Sequence, residues 1–256
     1  MRRSTRTARR PVLALAVLVL GSVSVRSPVN AQALPAGFVP LFNGKDLAGW
    51  KVPTGDNGHW KVLDGVIDYD ARSEAPGDKA LWSEWEFRDF VLRLDWRIKE
   101  TPWVNPGVRI VMPDGRNKKD AQGNEIKIAV PDSDSGVYLR GIADAQVNIW
   151  CWPVGSGEVY GYRTKADAAP DVRAGVTPKV NADRDIGQWN SFEITMRGER
   201  LTVILNGITV IENAQLPGVP AKGKIALQHH GDWKNGTWVS PPALVQFKNL
   251  AIREIK

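Results

Sequence analysis

Three segments of this sequence place hydrogen-bonding and aromatic side chains together by strand alternation, and their types suit a sugar. In DSGVYLRG (134–141), Val137 and Leu139 point one way while Tyr138 and Arg140 point the other. In QVNIW (146–150), Val147 and Ile149 face a core, leaving Gln146, Asn148 and Trp150 opposite. In KIALQHHG (224–231), Ile225, Leu227 and His229 share one face, and Gln228 and His230 share the other. If these strands are neighbours, one sheet face carries Tyr, Arg, Gln, Asn, Trp and His. Planar bidentate groups beside an aromatic ring match a pyranose, whose hydroxyls need paired donors and acceptors and whose C–H faces stack on rings. Of the adjacent histidines, His229 is expected as a satisfied core or rim residue, since it follows Ile225 and Leu227. His230 is the better acid or base, because imidazole titrates near neutral pH.

Other chemistries lack their carriers. The sequence has no H-E-x-x-H and no cysteine pair, and its Asp/Asn-rich loop fails the calcium-hand spacing. Asp132 and Asp134 read as solvated acids leading into a strand rather than as calcium ligands. No resident cofactor is expected, and a divalent metal is left open. No glycine-rich loop opens a helix for a nucleotide, and no serine sits in a nucleophile-elbow context. Cys151, between Trp150 and Trp152, reads as a small packed hydrophobe.

The elements that must position these groups read as strands. Phe90, Leu92, Leu94, Trp96 and Ile98 alternate with Val91, Arg93, Asp95 and Arg97, and Phe192, Ile194 and Met196 alternate with Glu193, Thr195 and Arg197. Leu201, Val203 and Leu205 run into Asn206-Gly207, after which Ile208 and Val210 run out again, a strong hairpin signal. Leu244, Phe247, Leu250 and Ile252 suggest a last strand with a bulge or register change near Val245. No window sustains a helical period, and there is no internal repeat. With 24 Gly and 17 Pro in one domain's length, the pattern predicts an all-β antiparallel sandwich. From 101 to 133 the chain holds four prolines and a polar run, which reads as a long inserted loop on one rim. Most of the 11 tryptophans are expected in the core.

Charge excludes one partner class. The 256 residues carry a formal charge of +6, but six of the 34 basic side chains lie in the first 33 residues, which have no acid. Beyond them 28 basic side chains balance 28 acidic ones. A neutral body does not concentrate phosphate backbones, so nucleic acid is not expected as a partner. The arginine-rich start, the apolar run Val12 to Leu20 and Ala31-Gln32-Ala33 together read as a cleavable export signal over 1–33. A mature domain over 34–256, periplasmic or secreted from a bacterium and without stable membrane insertion, follows as an expectation. Its single cysteine admits no internal disulfide.

An ordered set of motifs resembles the 3-keto-disaccharide hydrolase domain family of exported bacterial proteins. LFNGKDLAGW (41–50), WKVLDGVI (60–67), FVLRLDWRI (90–98), SGVYLRG (135–141), GEVY (157–160), GQWNSFEI (187–194), LNG (205–207), IALQHHG (225–231) and FKNLAIREI (247–255) occur in family order. The resemblance implies a concanavalin A-like jelly roll and action on glycosides already oxidised at C3 by a separate sugar dehydrogenase. It implies His230 as base or acid and Arg140 as an enolate or hydroxyl clamp. Tyr138 and Gln228 would orient the sugar; the strand alternation adds Gln146, Asn148 and Trp150 as further contacts, and Glu158, in a Gly-rich turn, is a candidate to stand in for a missing carboxylate. Many relatives carry Glu where this chain has Gln146 and Asp where it has Cys151. That departure keeps a second expectation in play, a lectin-like module that holds carbohydrate without cutting it.

Overall fold

In the computed structural model, residues 34–255 are described; the expected export signal at 1–33 lies outside them. Strands β1 (Val39–Pro40), β2 (Trp50–Lys51), β3 (Trp60–Leu63), β4 (Val66–Tyr69), β5 (Leu81–Phe87) and β6 (Phe90–Ile98) open the chain. β7 (Trp103–Arg109), β8 (Lys127–Asp132), β9 (Ser135–Leu139) and β10 (Ile142–Ile149) follow, then two short helices, α1 (Tyr160–Arg163) and α2 (Pro170–Gly175). β11 (Asn190–Arg197), β12 (Arg200–Leu205), β13 (Ile208–Gln215) and β14 (Gly223–Leu227) come next, and β15 (Trp233–Lys234), β16 (Thr237–Trp238) and β17 (Val245–Glu254) close it. An eight-stranded sheet runs β13-β12-β11-β6-β17-β4-β3, with β1 added on β17. A five-stranded sheet runs β10-β9-β14-β5-β2. All these pairings are antiparallel, as the alternation predicts for a sandwich and the family resemblance for a jelly roll.

The alternating residues explain the two layers. Leu92, Leu94, Phe192, Ile194 and Val203 from the large sheet meet Val137, Leu139, Val147, Ile149 and Leu227 from the small one in a single buried cluster. Each such side chain contributes roughly 1.5–3 kcal/mol when buried, so a one-residue slip of register would expose a whole strand's set. The Asn206-Gly207 hairpin forms with both residues at positive φ, +53° and +82°, which matches the right-handed twist of β12 and β13.

Two expectations move. The register change in β17 falls between Lys248 and Ala251 rather than near Val245, because Asn249 takes φ +54° there. The 101–133 segment is a two-stranded arm rather than a loop, with β7 paired to β8. Its prolines are accommodated where a ladder tolerates a missing N–H: Pro106 lies in the bulge between Asn105 and Val108, and Pro131 faces Val104 on a strand with no further neighbour. Asp132 fastens this arm to the sandwich. Fully buried, it accepts hydrogen bonds from Asn105 Nδ2 (2.8 Å) and Trp152 Nε1 (3.2 Å), so it is not the solvated acid the sequence suggests.

Candidate functional site

Inward-facing residues of β9 and β10 fill the core, so their other face is left for polar groups. Here that face forms the floor of a cavity of about 700 Å³, walled by the arm and by α1. Gln146 lies across the floor. Its Nε2 donates to Gln228 Oε1 (2.5 Å) and to the Ser135 carbonyl (3.0 Å). The backbone of Gly136 makes the room, since a Cβ there would meet Gln146 Nε2 at 2.3 Å. Gln228 is held from behind: its N–H donates to the Gly136 carbonyl (2.9 Å), and Ser135 Oγ donates to its carbonyl (2.9 Å). Tyr138 lines the same floor, its hydroxyl pushed up to about 12 by burial. Asn148 is 3 % exposed, and its Nδ2 has no hydrogen-bond partner although it borders the cavity. A buried amide donor without a partner costs about 1–3 kcal/mol, a cost that a ligand oxygen would offset.

His230 stands at the rim. Its Nδ1 lies 2.6 Å from the Pro241 carbonyl, which can only accept, so Nδ1 carries a proton, and in the neutral ring Nε2 is the acceptor. Nε2 faces Asp134 Oδ2 at 4.0 Å. Burial pushes the Asp134 carboxyl up to about 7, against an opposing pull from His230 and with a further push from Asp132. An acceptor nitrogen and a carboxyl able to keep its proton near neutrality therefore stand side by side. Such a pair can remove one proton and supply another at nearby atoms of one ligand.

His229 turns inward as expected. Its Nδ1 lies 2.6 Å from the Tyr69 hydroxyl, Tyr69 stacks on Trp60 at 3.7 Å, and burial lowers the imidazole to about 4. Cys151 packs partly buried against the core, with its thiol pushed up to about 12 by burial.

Of the residues chosen from sequence, Tyr138, Gln146, Asn148, Trp150, Gln228 and His230 meet at the cavity. Two do not. Arg140 is 1 % exposed and turned away from it, because β9 ends at Leu139 and Arg140 takes φ +50°, which breaks the alternation. Its guanidinium donates to the carbonyls of Arg88 (2.8 Å), Gly198 (2.7 Å) and Pro220 (3.1 Å) and pairs with Asp89 (2.8 Å). Glu158 is fully buried and paired with Arg163. The chain there runs back along Asn148, exchanging N–H and C=O contacts through Gly157 and Glu158, and this turns the carboxylate beneath α1 rather than toward ligand.

Trp150 reaches the cavity, but not as a free platform. It stacks on Trp152 with centroids 4.3 Å apart and planes at 2°, and its Nε1 donates to the Gly155 carbonyl (2.8 Å). The exposed ring of this group is Tyr160, edge-on to both indoles.

Sequence reasoning did not select Asp134 or Tyr160. Extending the Tyr138 alternation back by two and four residues reaches Gly136 and Asp134, so the signal for the acid was present. Among the described residues no three His, Cys, Asp or Glu side chains converge as metal ligands. Among the described residues no helix is long and apolar enough to cross a membrane.

Together with the family match that follows, the sandwich and its polar cavity define a carbohydrate-active domain of the glycoside-hydrolase-like or carbohydrate-binding class. The 3-keto-alpha-glucoside-1,2-lyase-like domain family matches residues 37–253, and the chain belongs to that family. Two crystal structures of Parabacteroides distasonis ATCC 8503 proteins, provisionally classed as glycosyl hydrolases, share its fold. One is 22 % identical with a TM-score of 0.55, covering 86 % of this chain and 85 % of its own. The other is 18 % identical with a TM-score of 0.53, covering 86 % and 95 %. No curated protein matches the chain.

Proposed function

We propose that this protein cleaves 3-keto-glycosides by elimination across C1 and C2. The observation that carries the reading is the His230–Asp134 pair at the rim of the amide-floored cavity. A ketone at C3 acidifies the C2 proton. His230 Nε2 takes that proton, and the electron pair passes to the C3 oxygen as an enolate. The enolate collapses, the C1–O bond breaks, and the departing oxygen takes the proton held by Asp134. The products are a 3-keto-glycal and the free aglycone alcohol, and water added across C1=C2 then gives the 3-keto sugar. Proton abstraction and proton donation act on positions separated by one carbon, which suits two groups 4.0 Å apart. Asn148 Nδ2 supplies a preplaced donor for an oxygen that gains charge. Gln146, Gln228 and Tyr138 hold ring hydroxyls.

The same reading makes a dehydrogenase that oxidises C3 the functional partner, and the arginine-rich start with its apolar run supports a mature chain in the periplasm or outside the cell. The test is incubation with a 3-keto-α-glucoside and a 3-keto-β-glucoside in D₂O, following deuterium at C2 and released aglycone by mass spectrometry. Exchange with release is expected. A second reading, a binding module, is favoured by the neutral Gln146 locked to Gln228 on the floor. Saturable binding with neither exchange nor release would establish it and sink the enzyme.

A further inference from the structure

Beside the sugar cavity, and sharing Thr164 and Lys165 with it, lies a second cleft of about 660 Å³ between the arm's tip and the two helices. Six cations line it: Arg116, Lys118, Lys119, Arg163, Lys165 and Arg173. Its own acids are Asp114 and Glu125, and both are engaged, Asp114 by Arg116 (2.6 Å) and Glu125 by Arg109 (2.7 Å) and Asn117 (2.8 Å). Lys165 pairs with Asp144 (3.1 Å), and Arg163 with Glu158. Among the described residues, Lys118, Lys119 and Arg173 are left with no carboxylate. Arg173 instead donates to the carbonyls of Arg163 (3.3 Å) and Ala168 (3.1 Å), which engage part of its guanidinium without cancelling its charge.

The cleft is built rather than incidental. Arg163, 3 % exposed, reaches across it, donating to the Gly115 carbonyl and to Asn117 Oδ1, each at 3.1 Å. Gly115 sits at φ +77° so close to Arg173 that a Cβ would meet that side chain and its carbonyl at 2.6 Å. The arm's tip is thus bolted onto α2, which holds Arg163 and Arg173 in place before any ligand arrives and sets the backbone that carries Lys118 and Lys119 at the cleft. Burial, together with the neighbouring Arg109 and Arg173 guanidiniums, lowers Arg163 to about 10, as expected where positive charge is crowded.

We infer that this cleft receives an anionic group, a carboxylate or a phosphate, carried by the part of the substrate that leaves. The inference rests on the proposed cleavage for its placement: a sugar in the cavity continues past Thr164 and Lys165 into the cleft. A concavity of this size holds one further monosaccharide unit. Cations with no carboxylate partner favour a unit bearing negative charge over a neutral one.

The test compares three 3-keto disaccharides that share the reacting glucosyl unit, with glucose, glucuronate or glucose 6-phosphate as the leaving sugar. At low salt the anionic substrates should exceed the neutral one in kcat/KM by roughly tenfold, as two or three partly exposed charge pairs allow. The ratio should shrink with added salt and approach one in the Lys118→Ala/Lys119→Ala double variant. The larger of the two ratios identifies carboxylate or phosphate as the natural group. Equal kcat/KM for charged and neutral substrates, or a preference that survives the double variant, overturns the inference while leaving the cleavage intact. If none of the three is cleaved, the proposed function fails instead. Calorimetric titration of the unoxidised disaccharides then decides the cleft alone, with salt-sensitive selectivity for the anionic pair supporting it and equal affinity overturning it.

Discussion

The strand pair β9–β14 has two ends that treat their polar groups in opposite ways. At one end Arg140 is saturated: three backbone carbonyls and Asp89 take up its guanidinium, and nothing is left for a ligand. At the other end Asn148, on the adjoining β10, keeps a buried donor unpartnered, and the partly buried Asp134 faces His230 Nε2 at 4.0 Å with no hydrogen bond between them. A buried charge costs too much to keep unless it is paired and hydrogen-bonded, so the saturated end holds loops to the sheet. The unsaturated end bears a standing cost, and such costs collect where a ligand or a transition state can offset them.

The largest expected effect belongs to the unsaturated end. His230→Ala should lower C2 exchange and aglycone release by about 10²–10⁴-fold with no fall in the unfolding midpoint. A variant that keeps full turnover would take His230 out of the reaction. The saturated end should respond the other way round. Arg140→Met removes the partner of three backbone carbonyls and of a partly exposed carboxylate, so denaturant unfolding should show a loss of about 1–3 kcal/mol. Turnover per folded molecule should stay near that of the parent. If instead Arg140→Met folded normally and lost activity, the contrast between the two ends would be wrong.

Why one arginine was misplaced from sequence and one histidine was not is a matter of backbone. Alternation is reliable only while the chain stays extended. Val137 to Leu139 obey it, and so do Gln146 to Ile149, and that placed the floor of the cavity. Arg140 follows the last strand residue and adopts a left-handed conformation, which no pattern of side-chain types announces. His229 and His230 lie just past β14, but the Gln228 contacts to Gly136 and Ser135 prolong the strand's facing by enough to sort them. Glu158 was unreadable because its direction is set by a tertiary pairing with β10. The arm at 101–133 hid its pairing behind prolines that sit at a bulge and opposite an edge. Asp134 was legible and passed over, since its face is fixed by the same alternation that places Tyr138.

Asp134 sharpens the comparison through pH. Its folded carboxyl is raised to about 7 from an ordinary 3.8, chiefly by burial. Between those values the folded chain holds a proton that the unfolded chain releases. The stability from this group is therefore fully present below about 3.8 and lost as pH rises through about 7. Asp134→Asn removes that loss, so the variant's melting temperature should overtake the parent's as pH rises and lead most clearly at pH 8. The parent's turnover should decline above about pH 7 as the acid loses its proton, and the residual activity of the variant should lack that limb. A variant with the parent's pH profile for both stability and rate would show that Asp134 is neither strained nor the acid.

The smallest effect is the most discriminating, because it separates a poised donor from a packing residue. Asn148 is as buried as many core side chains, yet its Nδ2 has no partner. If it served only packing, Asn148→Ala would lower stability through a small void and leave kinetics alone. As a poised donor it carries the desolvation cost of an unpaired amide, and Ala relieves that cost while opening space, so the unfolding midpoint should change little in either direction. The kinetic signature should be a drop of roughly tenfold in kcat/KM, the value of one hydrogen bond to an oxygen gaining charge. A loss in kcat would place the bond at the enolate, where it forms fully only as charge develops, and a rise in KM alone would place it at a ground-state hydroxyl. Unchanged kinetics with a clear loss of stability would return Asn148 to the core and erase the distinction between the two ends at this residue.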